Sequence, residues 1–236
     1  MTLALSKLVR LPWLPRYDLI LIACLIMQYA MVRGRLETKD ELKVITVFHG
    51  IGLGLELFKV QMGSWSYPEP AWAKIGGVPL YSGFMYASVA SYICQAWRRF
   101  DLRLLNWPSA RLTVLLCVAV YANFFLHHFL PDLRWLLMLA LIPIFYRTKV
   151  CFTINRYPYR MPVVLSYLLI GFFIWIAENI STFFGAWQYP NQTTVWHPVH
   201  LGKISSWFLL VIISFIIVAH LKRIKEQRNN EPKVAA

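Results

Sequence analysis

Long apolar stretches separated by short polar segments make up most of the chain. A helix needs about 20 mostly apolar residues to cross the hydrocarbon core, and only helices and closed barrels cross it with every backbone group hydrogen-bonded. Apolar runs of this length favour helices. We expect spans 1 to 7 at residues 17–32, 43–62, 76–96, 110–129, 132–148, 162–185 and 203–221. The pattern therefore predicts an all-α polytopic membrane protein with about seven transmembrane helices.

Two of the expected spans end in the same motif. ELFKVQMGSWSYP at residues 56–68 and ENISTFFGAWQYP at residues 178–190 share Glu, Gly, Trp, Tyr and Pro in one register. We interpret them as an internal repeat of spans 2–3 and 6–7, with units at about 44–96 and 163–221. An even step of four separates spans 2 and 6, so the repeat is parallel. One transmembrane domain then covers residues 1–221, followed by a basic tail at 222–236.

The composition supports this class and gives the expected orientation. Hydrophobic residues make up 58% of the 236 residues, and 24 Lys plus Arg exceed 11 Asp plus Glu. Basic residues cluster after spans 1, 3, 5 and 7, which places these loops and the C-terminus in the cytoplasm. The excess therefore reflects topology and does not indicate nucleic-acid binding. Lys7, Arg10 and Arg16 fit this orientation poorly, so span 1 either crosses the bilayer or lies re-entrant or interfacial.

Glu56 and Glu178 are the residues most suggestive of function. Each lies seven residues before the motif glycine, which is about 10 Å below the outer end of its helix. An ionisable group in hydrocarbon costs at least about 2.5–3.5 kcal/mol by insertion scales and is by default a functional candidate. The structural alternative is that Glu56 pairs with Lys59, one turn further on, and that Glu178 pairs with a basic residue of another helix.

The motif aromatics lie at the expected outer interface, where amphipathic rings are favoured. Either they anchor the helix ends there, or they wall a cavity above the two acids, with Gly63 and Gly185 allowing close approach of helices. In the second interpretation they are substrate-binding residues, namely Trp65, Tyr67, Trp187 and Tyr189.

Further polar residues fall in the expected outer half. His127 and His128 join the two glutamates as catalytic candidates, and convergence of such groups is typical of a site. Further substrate-binding candidates are Asn123, Asn179, His200 and Lys203. His49 shares a helix face with Glu56 and could extend a polar path inward.

No cofactor is predicted. The histidines and glutamates are ligand types for zinc or iron, but their spacing supports no metal site. The expected partners are the lipid bilayer and a hydrophobic small molecule, with no nucleic acid; the sequence leaves the oligomeric state open.

The runs at residues 56–104, 127–135 and 177–190 resemble a bacterial integral membrane family, domain of unknown function 817. The resemblance covers roughly residues 44–220 and implies a multi-pass protein of the bacterial inner membrane. A fainter likeness, in Glu56, Gly63, Trp65, Tyr67 and Pro79-Leu80, is to membrane-bound carotenoid cyclases and hydratases. Where the cyclases continue with paired acids, this chain has Tyr81-Ser82.

Three functions are compatible with these features. A membrane-embedded enzyme could use Glu56 and Glu178 as acid and base on a lipid or isoprenoid. A proton-coupled transporter or channel could use the same acids as protonation sites. A non-catalytic membrane scaffold would leave both buried acids unexplained.

Overall fold

The computed structural model describes residues 2–9 and 11–230, with side chains to Lys222. Arg10, one of the N-terminal positive charges, and residues 231–236 of the basic tail lie outside it. The described helices are α1 Thr2–Leu8, α2 Arg16–Arg33, α3 Lys39–Gln61, α4 Gly83–Arg99, α5 Ala110–Leu126, α6 Arg134–Phe145, α7 Val163–Phe183 and α8 Lys203–Asn230. Helices α2 to α8 correspond to the seven expected segments, whereas α1 was not expected.

Three of the described helices are long and apolar enough to cross a membrane. They are Lys39–Gln61, Val163–Phe183 and the part of α8 at Lys203–Lys222. Helices α5 and α6 are apolar but have only 17 and 12 residues. The structure thus supports membrane-protein character, while the number of crossings stays a prediction.

The expectation of an all-α chain is wrong in two places. Strands β1 Lys74–Ile75 and β2 Val78–Pro79 pair antiparallel around Gly76 and Gly77, which have φ of +54° and +83°. A short 3-10 turn at Leu80–Ser82 follows, so α4 begins seven residues later than residue 76. Glycines with positive φ favour a turn over a helix, and Pro79 lacks the N–H that a helix needs.

A second sheet is formed by parts of two predicted basic loops, the one after α4 and the one before α7. Strands β3 Arg103–Leu105, β4 Lys149–Ile154 and β5 Tyr157–Pro162 form an antiparallel sheet in the order β3-β4-β5. A two-residue turn joins β4 to β5, with Asn155 and Arg156 both at positive φ. Such turns match the twist of antiparallel strands.

The chain divides into two compact units. Of the described residues, the first contains 2–9, 11–95 and 172–204, and the second contains 96–171 and 205–230. The first has a core in which Tyr17, Tyr67, Val78, Tyr81 and Trp187 are buried. The buried rings of the second include Phe145, Tyr167, Phe208 and Phe215.

Local signals explain where α2 and α3 begin. Thr38 and Glu41 form a reciprocal capping box, which starts α3 four residues before its expected position. Pro15 precedes α2, and Asp18 in its first turn accepts hydrogen bonds from the backbone N–H groups of Trp72 and Ala73 at 2.8 and 2.9 Å. Asp18 therefore holds the loop that leads to the first hairpin.

Candidate functional site

The two motif copies end their helices in the same way. Gly63 and Gly185 have φ of +68° and +67°. The backbone N–H groups of residues 62, 63 and 64 donate to the carbonyls of residues 58, 60 and 59, and those of 184, 185 and 186 donate to 180, 182 and 181. This is the glycine-terminated helix end in which left-handed backbone satisfies the last carbonyls.

The expected role of the two glycines in close helix approach is therefore replaced by helix termination. A Cβ added to Gly63 would meet nothing within 4 Å, and at Gly185 the nearest atom is an Arg16 nitrogen at 3.6 Å. It is the positive φ that requires glycine at both positions.

The two helix exits pair with each other. Ser66 N–H donates to the carbonyl of Gln188, and Gln188 N–H donates to the carbonyl of Ser66, both at 2.9 Å. The Trp65 and Tyr189 rings meet edge to face, with centroids 6.0 Å apart. The two motifs, 122 residues apart in the chain, thus meet at equivalent positions.

Glu56 is buried among three donors. Trp65 Nε1–H and Tyr67 O–H donate to Oε2 at 2.6 and 2.7 Å, and Tyr86 O–H lies 2.8 Å from Oε1. The indole can only donate, so Oε2 must accept from it. Burial penalises a negative charge on Glu56, and these hydrogen bonds offset part of that penalty.

Glu178 has the equivalent clamp. Its side chain is 3% exposed and accepts a hydrogen bond from Tyr189 at Oε1. Tyr67 and Tyr189 each follow their glutamate by eleven residues. Burial and the neighbouring glutamate raise the pKa of both Tyr67 and Tyr189 well above the usual 10.0, so both hydroxyls stay protonated donors.

Lys203 brings a positive charge to this place. Its Nζ lies 5.2 Å from the centroid of the Trp65 ring and 4.6 Å from that of Tyr189, and its charge acts on Glu56. Lys203 is also the first residue of α8, where the helix dipole disfavours a cation. Contacts with aromatic faces and carboxylate compensate for this position.

Tyr86 belongs to the site, although no motif in the chain singles it out. It is 8% exposed, and Glu178 and Tyr189 also act electrostatically on its hydroxyl. Its ring fills the space beside Gly52, where an added Cβ would lie 2.4 Å from ring carbons. Gly52 is one helical turn before Glu56 on the same face of α3. A glycine at this position is a weak sequence signal that a large side chain packs beside Glu56.

Other predicted site residues hold the backbone. Asn179 donates to the carbonyl of Trp175 and accepts from Val199 N–H, both at 2.8 Å, so it fastens the loop before α8 to α7. His200 accepts from Gly202 N–H at 3.0 Å, at the start of α8. Trp187 is buried and contacts Tyr189 through a side-chain hydrogen bond.

The remaining candidates lie in the second unit, in the last turn of α5 and in the loop that follows it. The His127 and His128 rings are tilted by 36° with centroids 4.2 Å apart, and His127 Nδ1 is 2.9 Å from the carbonyl of Asn123. The Asn123 amide donates to Asp132, which forms an ion pair with Arg134. Within the first unit, the structure thus gathers Glu56, Glu178, their aromatic partners and Lys203. Asn123 and His127 contact other residues of the second unit, and the place of Asn123, His127 and His128 in the site stays a prediction.

His49 packs differently from the expected inward path. Its ring meets Phe84 edge to face at 4.6 Å, and its Nδ1 is buried without a hydrogen-bond partner among the described residues. A further buried acid was missed: Glu37 accepts hydrogen bonds from Gln28 and Ser91. It lies just before the cap of α3, where the sequence offers only the Thr38 signal.

Among the described residues, no three His, Cys, Asp or Glu side chains lie close enough together to hold a metal ion.

Comparisons with known proteins give a family and a fold. The family described as "Protein of unknown function (DUF817)" matches residues 1–215. The chain is similar to the "Uncharacterized protein YoaT" of Bacillus subtilis (strain 168), at 64% identity over 226 residues, covering 96% of this chain and 86% of that protein.

The fold is similar to a mycobacterial Insig homolog, MvINS, from Mycobacterium vanbaalenii, whose crystal structure gives a TM-score of 0.53 at 10% identity. The match covers 77% of this chain and 93% of that one.

Proposed function

We propose, for a chain that belongs to the DUF817 family, that the paired glutamates form the centre of an acid-base site for a lipid or isoprenoid substrate inside the membrane. One observation carries the proposal. Both acids are buried in helices apolar enough to cross a membrane, and each is clamped by a tyrosine eleven residues later. Buried ionisable groups in such helices are functional candidates by default.

We further propose that the two motifs are copies of one unit. The same helix ending, the same tyrosine clamp and a reciprocal backbone pair between the copies support this. When two equivalent segments are related by a two-fold axis, a hydrogen bond from the first to the second is matched by the same bond from the second to the first. The reciprocal pair is a contact of this kind. Two acids would thereby face one shared site.

The two acids would share the general-acid and general-base roles. Burial disfavours a charge on Glu56, whereas its three donors and the charge of Lys203 favour the carboxylate. Tyr86, on which both glutamates act electrostatically, would lie between them. Proton transfer by positioned side chains of this kind contributes typically about 10²–10⁴-fold to a rate.

Lys203 indicates which part of a substrate would lie here. Its ammonium lies over the Trp65 and Tyr189 rings, so those faces are less suited to stabilising a substrate cation. An ammonium at this position favours an oxygen-bearing group instead. The substrate class is therefore an apolar molecule with a polar oxygen at one end.

Mass spectrometry of organic extracts tests this function. The wild-type protein, purified in mild detergent, is compared with the double variant Glu56→Gln/Glu178→Gln and with the control Asp40→Asn/Asp101→Asn, which changes two exposed acids. We expect a bound lipid or isoprenoid in the wild type and control, reduced at least about ten-fold in the site variant.

Equal retention in all three proteins would overturn the proposal. Lys203→Gln is the second variant, in case the double variant does not fold. It removes the charge above the acids and should also reduce retention of the extracted molecule.

A proton-coupled transporter is the second candidate, favoured by the electrostatic interaction of Lys203 with the buried Glu56. A carboxylate whose charge is neutralised by a nearby cation of the protein can instead be neutralised by binding a proton. Proteoliposomes carrying a pH-sensitive dye test it. Proton flux that Glu56→Gln abolishes, with no extractable ligand, would favour transport over catalysis.

A further inference from the structure

The β3–β4–β5 sheet has two chemically different faces. Its register places Arg103, Cys151 and Arg160 side by side, and Phe152 opposite Tyr159, whose rings stack at 5.7 Å. Paired residues share a face and neighbours along a strand alternate. One face therefore carries Arg103, Lys149 and Arg160, and the other carries Val150, Phe152, Ile154, Tyr157, Tyr159 and Met161.

The apolar face is covered only at its base. Val150 is 5% exposed, whereas Ile154, Tyr157 and Tyr159, nearer the hairpin turn, are 41%, 69% and 49% exposed. We call these three residues the apolar tip. Contiguous exposed apolar residues of this kind mark an interaction surface.

The sheet lies where α7 begins. β5 ends at Pro162, and α7 starts at Val163 and continues for 21 residues that are apolar enough to cross a membrane. No linker separates strand from helix, so the Pro162 end of the sheet adjoins the start of α7. Tyrosines are favoured in the interfacial region of a membrane.

The same hairpin carries uncompensated positive charge. Between Tyr146 and Pro162 the chain has four exposed basic residues and no acid: Arg147, Lys149, Arg156 and Arg160. The only acids in residues 96–171 are Asp101 and Asp132. These form ion pairs with Arg103 and Arg134, each at 2.7 Å.

We propose that the β3–β4–β5 sheet is a docking surface for anionic phospholipid headgroups. The apolar tip enters the interfacial region, and the four basic residues lie at the level of the phosphates. An apolar face combined with Lys and Arg is the combination that binds anionic bilayers in interfacial helices, and the same physics applies to a sheet. This surface is independent of the glutamate site.

Native mass spectrometry tests the proposal on the full chain. The protein in detergent is offered equal amounts of phosphatidylglycerol and phosphatidylcholine, and retained lipids are counted. The test variant is Lys149→Gln/Arg156→Gln/Arg160→Gln. The matched control, Arg33→Gln/Lys39→Gln/Lys43→Gln, removes three exposed charges near the start of α3.

We expect the wild type and control to prefer phosphatidylglycerol and the test variant to lose that preference by at least about five-fold. An unchanged preference in the test variant would overturn the proposal. An equal loss in the control would also overturn it, because the preference would then reflect net charge alone.

A second measurement addresses the apolar tip. A polarity-sensitive dye is attached at Tyr157→Cys in a chain whose four native cysteines are replaced. We expect a blue-shifted emission in nanodiscs that contain phosphatidylglycerol, and a return toward the aqueous value when Arg156 and Arg160 are also replaced by Gln. Aqueous emission in every lipid would contradict insertion of the tip.

Discussion

At the scale of single residues, the site depends on room made for one side chain. Glu56 is held by Trp65 and Tyr67 from the loop after its own helix and by Tyr86 from α4. Tyr86 reaches the carboxylate because Gly52, one turn earlier on α3, has no side chain. The site therefore requires glycine at residue 52 as well as the Tyr86 hydroxyl, because a Cβ there would displace the Tyr86 ring.

Replacing Gly52 by alanine should therefore separate Tyr86 from Glu56. The added Cβ would lie 2.4 Å from the Tyr86 ring, so the ring or the helix must shift. We expect a destabilisation of about 1–3 kcal/mol, as for overpacked cores. Thermal and SDS-induced unfolding measure this loss of stability. We expect nearly the same loss when Gly52→Ala is made in a Tyr86→Phe background, because the clash is with ring carbons that phenylalanine keeps.

Gly54→Ala is the matched control, on the same helix two residues on. A Cβ there meets nothing within 4 Å, and alanine favours helix over glycine by about 1 kcal/mol. It should leave stability unchanged or raised. Equal losses at residues 52 and 54 would contradict the contact with Tyr86.

At the scale of helices and strands, the end of α7 explains the awkward N-terminal charges. Arg16 donates to the carbonyls of Phe184 and Gly185 and forms an ion pair with Glu69, and Lys7 donates to the carbonyl of Phe183 at 3.3 Å. Cations are favoured at helix C-termini, where carbonyls lack partners. These two charges are therefore fixed by a helix end and need not follow the loop-charge rule.

Arg16→Gln should accordingly weaken the attachment of the N-terminal segment to the end of α7. Hydrogen bonds to charged groups contribute about 1.5–3 kcal/mol, so we expect a lower melting temperature and faster proteolysis within residues 2–15. Lys43→Gln serves as the comparison, because the side chain of Lys43 is 81% exposed. Proteolysis at the same rate in both variants would show that the Arg16 contacts do not hold the segment.

The sequence predicted the helices better than the strands, for a physical reason. Runs such as those of α3 and α7 carry their signal over some 20 residues. The strands of the first hairpin have two residues each, too few for an alternating pattern. In the second sheet, the basic residues of KVCFTINRYPYRMP indicate a cytoplasmic loop. The same segment also carries two signals of a strand pair, namely its alternating pattern and its Asn-Arg turn.

The candidate site was predicted in the same uneven way. The repeated motif identified Glu56, Glu178 and their aromatic neighbours, because five identities at fixed spacing can be seen in the chain itself. Tyr86 and Glu37 acquire their contacts only through folding, and neither repeats. Asn123, His127 and His128 are grouped with the acids only by their expected depth in the membrane, so their part in the site stays a prediction.

At the scale of the whole molecule, the paired exits relate the directions of two helices. The segments that follow α3 and α7 pair with each other at Ser66 and Gln188, five residues after each helix ends. At about 1.5 Å per residue, their 23 and 21 residues extend about 35 and 32 Å, the thickness of a hydrocarbon core. The start of α3 and the hairpin before α7 should then share the opposite membrane face, where basic residues are favoured.

Labelling from one side of the membrane tests this topology, and with it the parallel repeat. Single cysteines are placed at Ser66, Arg156 and Lys39 in a chain without its native cysteines, expressed in bacterial spheroplasts. A membrane-impermeant maleimide should react with residue 66 on intact spheroplasts, and with residues 156 and 39 only after permeabilisation. Residues 39 and 156 are 117 positions apart, so their agreement tests α3 and α7 separately. Labelling of residues 66 and 156 from the same side would mean that α7 does not cross, and two spans could not then run in parallel.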